Sequence, residues 1–113
     1  MKTINIPTSV IVNYRECNRE TEIRTISWFH GCSLNKLEGS VKLEGFKEPL
    51  ELAIIEGKAI LFEGNHRLAV ALRLNLQTVP VRIQKDEEIP LDLAMYLSDR
   101  EFVTINEDLY KYL

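Results

Sequence analysis

At 113 residues, with 45% hydrophobic and 27% charged side chains, the chain can bury one modest core and no second one, so a single domain over residues 1–113 is expected. Fourteen Lys and Arg against seventeen Asp and Glu leave a net charge of −3, which argues against a general duplex-binding protein. No apolar run approaches the ~20 residues that span a bilayer, residues 1–7 lack a signal-peptide core, and Cys17 and Cys32 lack zinc-site spacing, so a cytoplasmic protein with no membrane contact is expected.

From the N-terminus, Ile4, Ile6, Val10, Ile11 and Val12 predict one strand or two around Pro7-Thr8-Ser9. Residues 15–24 are polar and mixed in charge, as in a loop or a short exposed helix. Trp28 and Phe29 read as core or interface, because a lone pair lacks the repeated basic-aromatic interleaving of a base-stacking surface. His30 and Cys32 stand two apart, a spacing that sends side chains in different directions, so a buried thiol is the simpler reading. Asn35 to Gly45 predicts a short helix: Asn35 and Glu38 fit a capping box, Leu37 and Val41 share a face, and Gly45 supplies a left-handed stop.

A strand is predicted from Leu50 to Ile55, a hairpin turn at Glu56-Gly57, and a second strand over Ala59-Ile60-Leu61-Phe62. A helix over 66–74 should pack through Leu68, Ala71 and Leu72 and end at a left-handed Asn75. Thr78 to Ile83 reads as a further strand. Pro90 fits the first position of a helix with Leu91, Ala94 and Met95 on one face. Phe102 to Ile105 reads as a strand or packed coil.

The chemistry concentrates where the second of these strands meets the following helix, at Glu63-Gly64-Asn65-His66-Arg67. A glycine permits a tight swing there, and the amides of the first helical turn then lack intrahelical acceptors. With the positive end of the helix dipole they form a site for an anion. Arg67 adds a planar fork that matches phosphate oxygens. The local alternative is a capped helix start, with Asn65 as cap, Gly64 as turn residue and Arg67 as a solvated charge. Residues 64–85 hold Arg67, Arg73, Arg82 and Lys85 and no carboxylate, whereas 86–113 are acidic, so the anion turn lies in the basic part of the chain. Arg73 reads as a surface charge.

The Gly-x-x-x-Pro stretch from Gly45 to Pro49, the Gly-x-x-Arg box from Gly64 to Arg67 and the Val79-Pro80-Val81 strand occur in an order that resembles the ParB/sulfiredoxin-like superfamily. The resemblance covers about Leu34 to Ile83 and implies an α/β (α+β) fold, a small mixed sheet with packed helices. Its members include ParB partition proteins that bind and hydrolyse CTP, sulfiredoxins, free-serine kinases that use ADP, and small nucleases. Asn65 stands where a sulfiredoxin places its reactive cysteine, which removes that chemistry. The chain shows neither the downstream acidic-amide motif nor the helix-turn-helix domain of a partition protein. The kinase box Asp-Gly-His-His-Arg is similar to residues 63–67 at four positions if Glu63 replaces the aspartate.

On this reading Gly64, Asn65, His66 and Arg67 bind phosphate, and Glu63 holds Mg²⁺ or acts as a base, unless it is simply an exposed strand-end carboxylate. His66 joins as an acid-base group or as a phosphate donor. The expected ligand is a nucleotide or a nucleic-acid phosphate. Two classes remain open: a small NTPase, phosphotransferase or nuclease, and an inactive binding module that senses a nucleotide or acts on a protein partner. A second carboxylate facing the turn would separate them, with Glu22, Glu48 and Glu56 as candidates.

Overall fold

The computed structural model describes residues 2–15 and 31–113, and the side chains of the second stretch from Lys36 onward. The described strands form one sheet of order β1-β4-β2-β3-β5: β1 (Lys2–Pro7), β2 (Leu50–Ile55), β3 (Lys58–Glu63), β4 (Thr78–Lys85) and β5 (Val103–Thr104). β4 runs parallel to β2, and the other neighbours are antiparallel, so the sheet is mixed as expected. Five helices accompany it among the described residues: α1 (Thr8–Ile11), α2 (Gly31–Glu44), α3 (Asn65–Arg73), α4 (Leu91–Leu97) and α5 (Glu107–Tyr110). None is long and apolar enough to cross a membrane.

Alternation along β2 and β3 divides the core. Leu50, Leu52 and Ile54 with Ala59 and Leu61 face the main cluster, where Leu68 and Ala71 of α3 join them and Leu72 packs at the edge. Ala53 and Ile60 face the other side, under α4. α2 lies behind α3, with Val41 against Ala69 and Val70 and Leu37 packed alongside. The order is therefore α2, α3, sheet, α4. Glu56 (φ 50°) and Gly57 (φ 76°) make the left-handed pair that a two-residue hairpin requires. Asn75 (φ 54°) and Gly45 (φ 73°) stop their helices as expected.

Several expectations need correction. Of the one or two N-terminal strands expected, residues 2–15 hold one, β1, and Val10, Ile11 and Val12 lie outside it. Residues 8–11 form a helical turn that buries Thr8 and Ile11 three apart, a helical spacing hidden inside a β-branched run. The Thr8 hydroxyl donates to the Leu76 carbonyl at 2.7 Å and fastens that turn to the end of α3. α2 spans Gly31–Glu44, so Asn35 lies inside the helix rather than at its start, while Glu38 turns to Arg73 at 2.9 Å. Arg73 is thus an ion-pair partner rather than a solvated charge. β4 continues to Lys85, and Pro90 is the cap residue of α4 rather than its first turn. α4 buries Leu97, half-buries Leu93 and Ala94 and leaves Leu91 and Met95 outside, one step round from the predicted face. Phe102 to Ile105 supplies only the two-residue β5. Arg15 is buried, not part of an exposed loop, while Cys17, Glu22, Trp28, Phe29 and His30 lie outside the described residues.

The last turn of chain is tied to the first. Tyr14 is fully buried, donates to Asp108 Oδ1 at 2.8 Å and accepts the Asn106 amide at 3.1 Å. Burial, and less so Asp108, raises its phenol above the ordinary 10.0, while the amide bond lowers it.

Candidate functional site

Gly64 ends β3 and starts α3 with φ 103° and ψ 18°, a left-handed conformation that a side chain resists. It also lies against β2: a Cβ there would come within 2.8 Å of Leu50 Cγ and 3.0 Å of Leu50 Cα. Two separate demands therefore select glycine. The first bond within α3 joins the Leu68 amide to the Gly64 carbonyl at 2.9 Å, so the amides of residues 65–67 precede the helical ladder and carry its positive end. Asn65 makes no capping bond, and its Oδ1 is buried without a hydrogen-bond partner. The simple cap reading of Asn65 is therefore not what the structure holds.

Arg67 leaves the first turn of α3 and lines a cleft of about 460 Å³ with Glu48, Pro49, Glu51, Glu63 and Arg82. That volume falls within the range of small-molecule sites. A neighbouring hollow of about 260 Å³, floored by Leu37, Val41 and Phe46, shares Glu48 and Arg67 with it. The described lining of the cleft includes Glu63 and Arg67 but not Asn65 or His66, and His66 is exposed on the helix surface.

Sheet register explains the opposite wall. Arg82 of β4, Glu51 of β2 and Glu63 of β3 are successive partners across three strands. The Arg82 guanidinium donates to Glu51 Oε1 through both Nε and Nη2. Pairing slips between Glu51 and Leu52, because Phe62 is an extra residue in β3. That bulge sets Glu63 opposite Glu51. Arg67 donates to Glu48 Oε2 at 3.1 Å.

Each guanidinium of the cleft thus already holds a carboxylate, and Glu63 has no hydrogen bond or ion pair among the described residues. Three carboxylates against two guanidiniums leave one net negative charge before the helix dipole is counted. An anion at Arg67 would have to displace Glu48, whose side chain is 75% exposed and can swing into water.

Of the candidate second carboxylates, Glu48 stands at the cleft mouth, while Glu56 sits in the hairpin at the far end of β2. Glu51 and Arg82 were not singled out as site residues from the sequence. The signal was there: each occupies the polar alternate position of an otherwise apolar strand, with opposite sign. Among the described residues no three His, Cys, Asp or Glu gather to hold a metal ion. With Glu51 committed to Arg82, Glu63 offers a single carboxylate. The donor set is not a Mg²⁺ site by itself, and oxygen ligands would have to come mostly from a bound phosphate.

No family model matches the sequence, and no curated protein does. Among solved structures, the chain is similar to sulfiredoxin from Arabidopsis thaliana, with a TM-score of 0.52 and 20% identity over 76% of this chain and 88% of that one. It is also similar to the C-terminally truncated chromosome-partitioning protein ParB from Caulobacter crescentus, complexed with CTP-γ-S, with a TM-score of 0.55 and 14% identity. That match covers 100% of this chain and 53% of the ParB chain. The fold is ParB/sulfiredoxin-like, as the sequence resemblance implied.

Proposed function

We propose that this chain is a nucleotide-binding domain whose Gly64–Arg67 turn receives phosphate. The observation that supports it best is that Arg67, on the first turn of a helix whose start requires glycine, lines a cleft together with Glu63 and Arg82. The similar ParB structure holds a CTP analogue, which agrees with a nucleotide as ligand. A mononucleotide is favoured over nucleic acid because the cleft carries net negative charge, whereas a polymer backbone asks for a continuous positive surface.

In this reading the phosphate takes Arg67 from Glu48 and accepts amides of the first α3 turn, with Asn65 and His66 beside it. Arg82 stays braced by Glu51 through Nε and Nη2 and offers its Nη1 donor to the cleft. Turnover is the second reading. In it Glu63 accepts a proton from water or a hydroxyl. Mg²⁺, where needed, would enter with the nucleotide and meet Glu63.

The test is calorimetry with ADP, ATP, CTP, GTP and a short oligonucleotide, each with and without Mg²⁺, on the wild type, Arg67→Ala and Arg67→Lys. Binding of a mononucleotide, lost in Arg67→Ala and partly kept in Arg67→Lys, is the expected result. Absence of binding to every ligand, or equal binding by all three proteins, would overturn the proposal.

A further inference from the structure

The phosphate cleft and the hollow beside it have two lining residues in common, Glu48 and Arg67, and these two are bonded to each other at 3.1 Å. The boundary between the two spaces is therefore an ion pair. It is a weak one. The Glu48 side chain is mostly exposed, and an exposed pair favours its closed form by about fivefold at most.

The backbone beneath this boundary is anchored on both sides. Phe46 packs against the main cluster and against that of Val41, Ala69 and Val70, and Leu50 enters β2 fully buried. Pro49 narrows the backbone choices of the residue before it. What remains free to turn is the Glu48 side chain. Its turning matters because of what lies behind. At about 260 Å³ the hollow is smaller than a small-molecule site of ~300–1,000 Å³, and its floor of Leu37, Val41 and Phe46 is apolar. Joined to the cleft, it becomes the apolar end of a space whose other end holds Arg67 and Glu63.

We propose that Glu48 is a gate: an anion that takes Arg67 turns Glu48 outward, and the apolar hollow then opens to whatever group the anion carries. This rests on the proposed phosphate contact at Arg67 and adds the residue that decides which phosphates are held. A bare anion exchanges one Arg67 bond for another and gains little. An anion joined to a flat apolar group also buries that group over Leu37 and Phe46. Glu48 thereby sets the ligand class as a phosphate ester of an aromatic or similarly apolar group, and disfavours free phosphate.

Amide NMR titrations of the full chain with inorganic phosphate, phenyl phosphate and phenol, each to about 20 mM, cover the range of weak binding. On the wild type, phenyl phosphate should bind about tenfold tighter than phosphate, from burial of the ring. Ser40→Leu fills the hollow from α2. It should leave phosphate affinity unchanged and bring phenyl phosphate most of the way down to it. Phenol carries the ring without the anion. It should bind Glu48→Ala about two- to fivefold tighter than the wild type, because the closing side chain is gone.

The phenol measurement separates a gate from simple competition, since a Glu48 that only competed for Arg67 would leave a neutral ring unaffected. Glu48 is exposed, so its replacement keeps the fold, and that measurement stands even where Ser40→Leu does not fold. Failure of both phosphate and phenyl phosphate to bind would overturn the phosphate reading and the gate together. Where phosphate binds, the phosphate reading stands, and any of three results overturns the gate alone: no preference for phenyl phosphate, a preference that survives in folded Ser40→Leu, or equal phenol binding by Glu48→Ala and the wild type.

Discussion

Replacing Gly64 by alanine asks whether the turn is imposed by the fold or merely adopted. Two costs combine. At φ 103° a side-chain-bearing residue loses about 1–2 kcal/mol relative to glycine. The added methyl would also stand 2.8 Å from Leu50 Cγ and 3.0 Å from Leu50 Cα. The first contact yields if the leucine side chain moves. The second is backbone, in a strand held on both sides by β3 and β4, and forcing it costs about 1–3 kcal/mol.

The two costs together make about 2–5 kcal/mol, a large part of the ~5–15 kcal/mol that holds a domain of this size together. At about 4 °C per kcal/mol, Tm should fall by roughly 8–20 °C. Urea denaturation should show the same loss at unchanged slope. In a Leu50→Ala background only the Cγ contact is removed, so the penalty should shrink by about 1 kcal/mol and persist. A loss below about 1 kcal/mol in the wild-type background would refute the argument that β2 and the backbone angle jointly demand glycine.

Arg67→Ala should weaken a phosphate ligand by about 1–3 kcal/mol, the lower end reflecting Glu48, which that ligand must displace; Arg73→Ala, whose partner is Glu38, should do far less. Equal losses at the two positions in calorimetry would mean a diffuse basic surface. Glu48→Gln should raise phosphate affinity about two- to fivefold, the scale of an exposed ion pair, and an unchanged affinity would show that Arg67 is not the receiving group. Glu63→Gln should abolish any phosphate release detected with the wild type while leaving nucleotide affinity near its original value; a variant that still turns over removes Glu63 from that role. Tyr14 is raised in the folded state, so its contribution is intact below its unfolded value of 10.0 and is lost as pH rises through the higher folded value. Tyr14→Phe should cost about 1–3 kcal/mol at neutral pH and flatten the alkaline limb of the stability profile.

The parts legible in the sequence were those with local causes. Glu56-Gly57, Asn75 and Gly45 announced left-handed backbone through residue type alone, and the apolar runs of β2 and β3 could hardly be anything but buried strands. The turn at Gly64 and the place of Arg67 on the first turn of α3 were legible because a strand-to-helix turn is also local. Glu51 and Arg82 were harder, since their meeting depends on β2 and β4 pairing in parallel across an intervening hairpin and helix. No short window of sequence contains that register. The same holds for α4, where the buried side was set by the sheet beneath it: Leu93 and Leu97 face Ile60, and the equally apolar Leu91 and Met95 do not. Glu48 was considered as a carboxylate facing the turn, but its hold on Arg67 needed the approach of residues 45–49 to α3.

The extra residue in β3 makes chain length, and not only side-chain identity, a determinant of this cleft. Counting by two from Leu61 would aim Glu63 into the main core; Phe62, inserted in the pairing, turns it to the face of Glu51. A related chain with one residue fewer between Leu61 and Gly64 could spell the same glutamate, glycine and arginine while presenting that carboxylate to the wrong side. Sequence comparisons that slide a gap through this stretch would then equate side chains that look in opposite directions. For this cleft, kinship is better judged by spacing from the hairpin at Gly57 to the turn at Gly64 than by the letters of the turn alone.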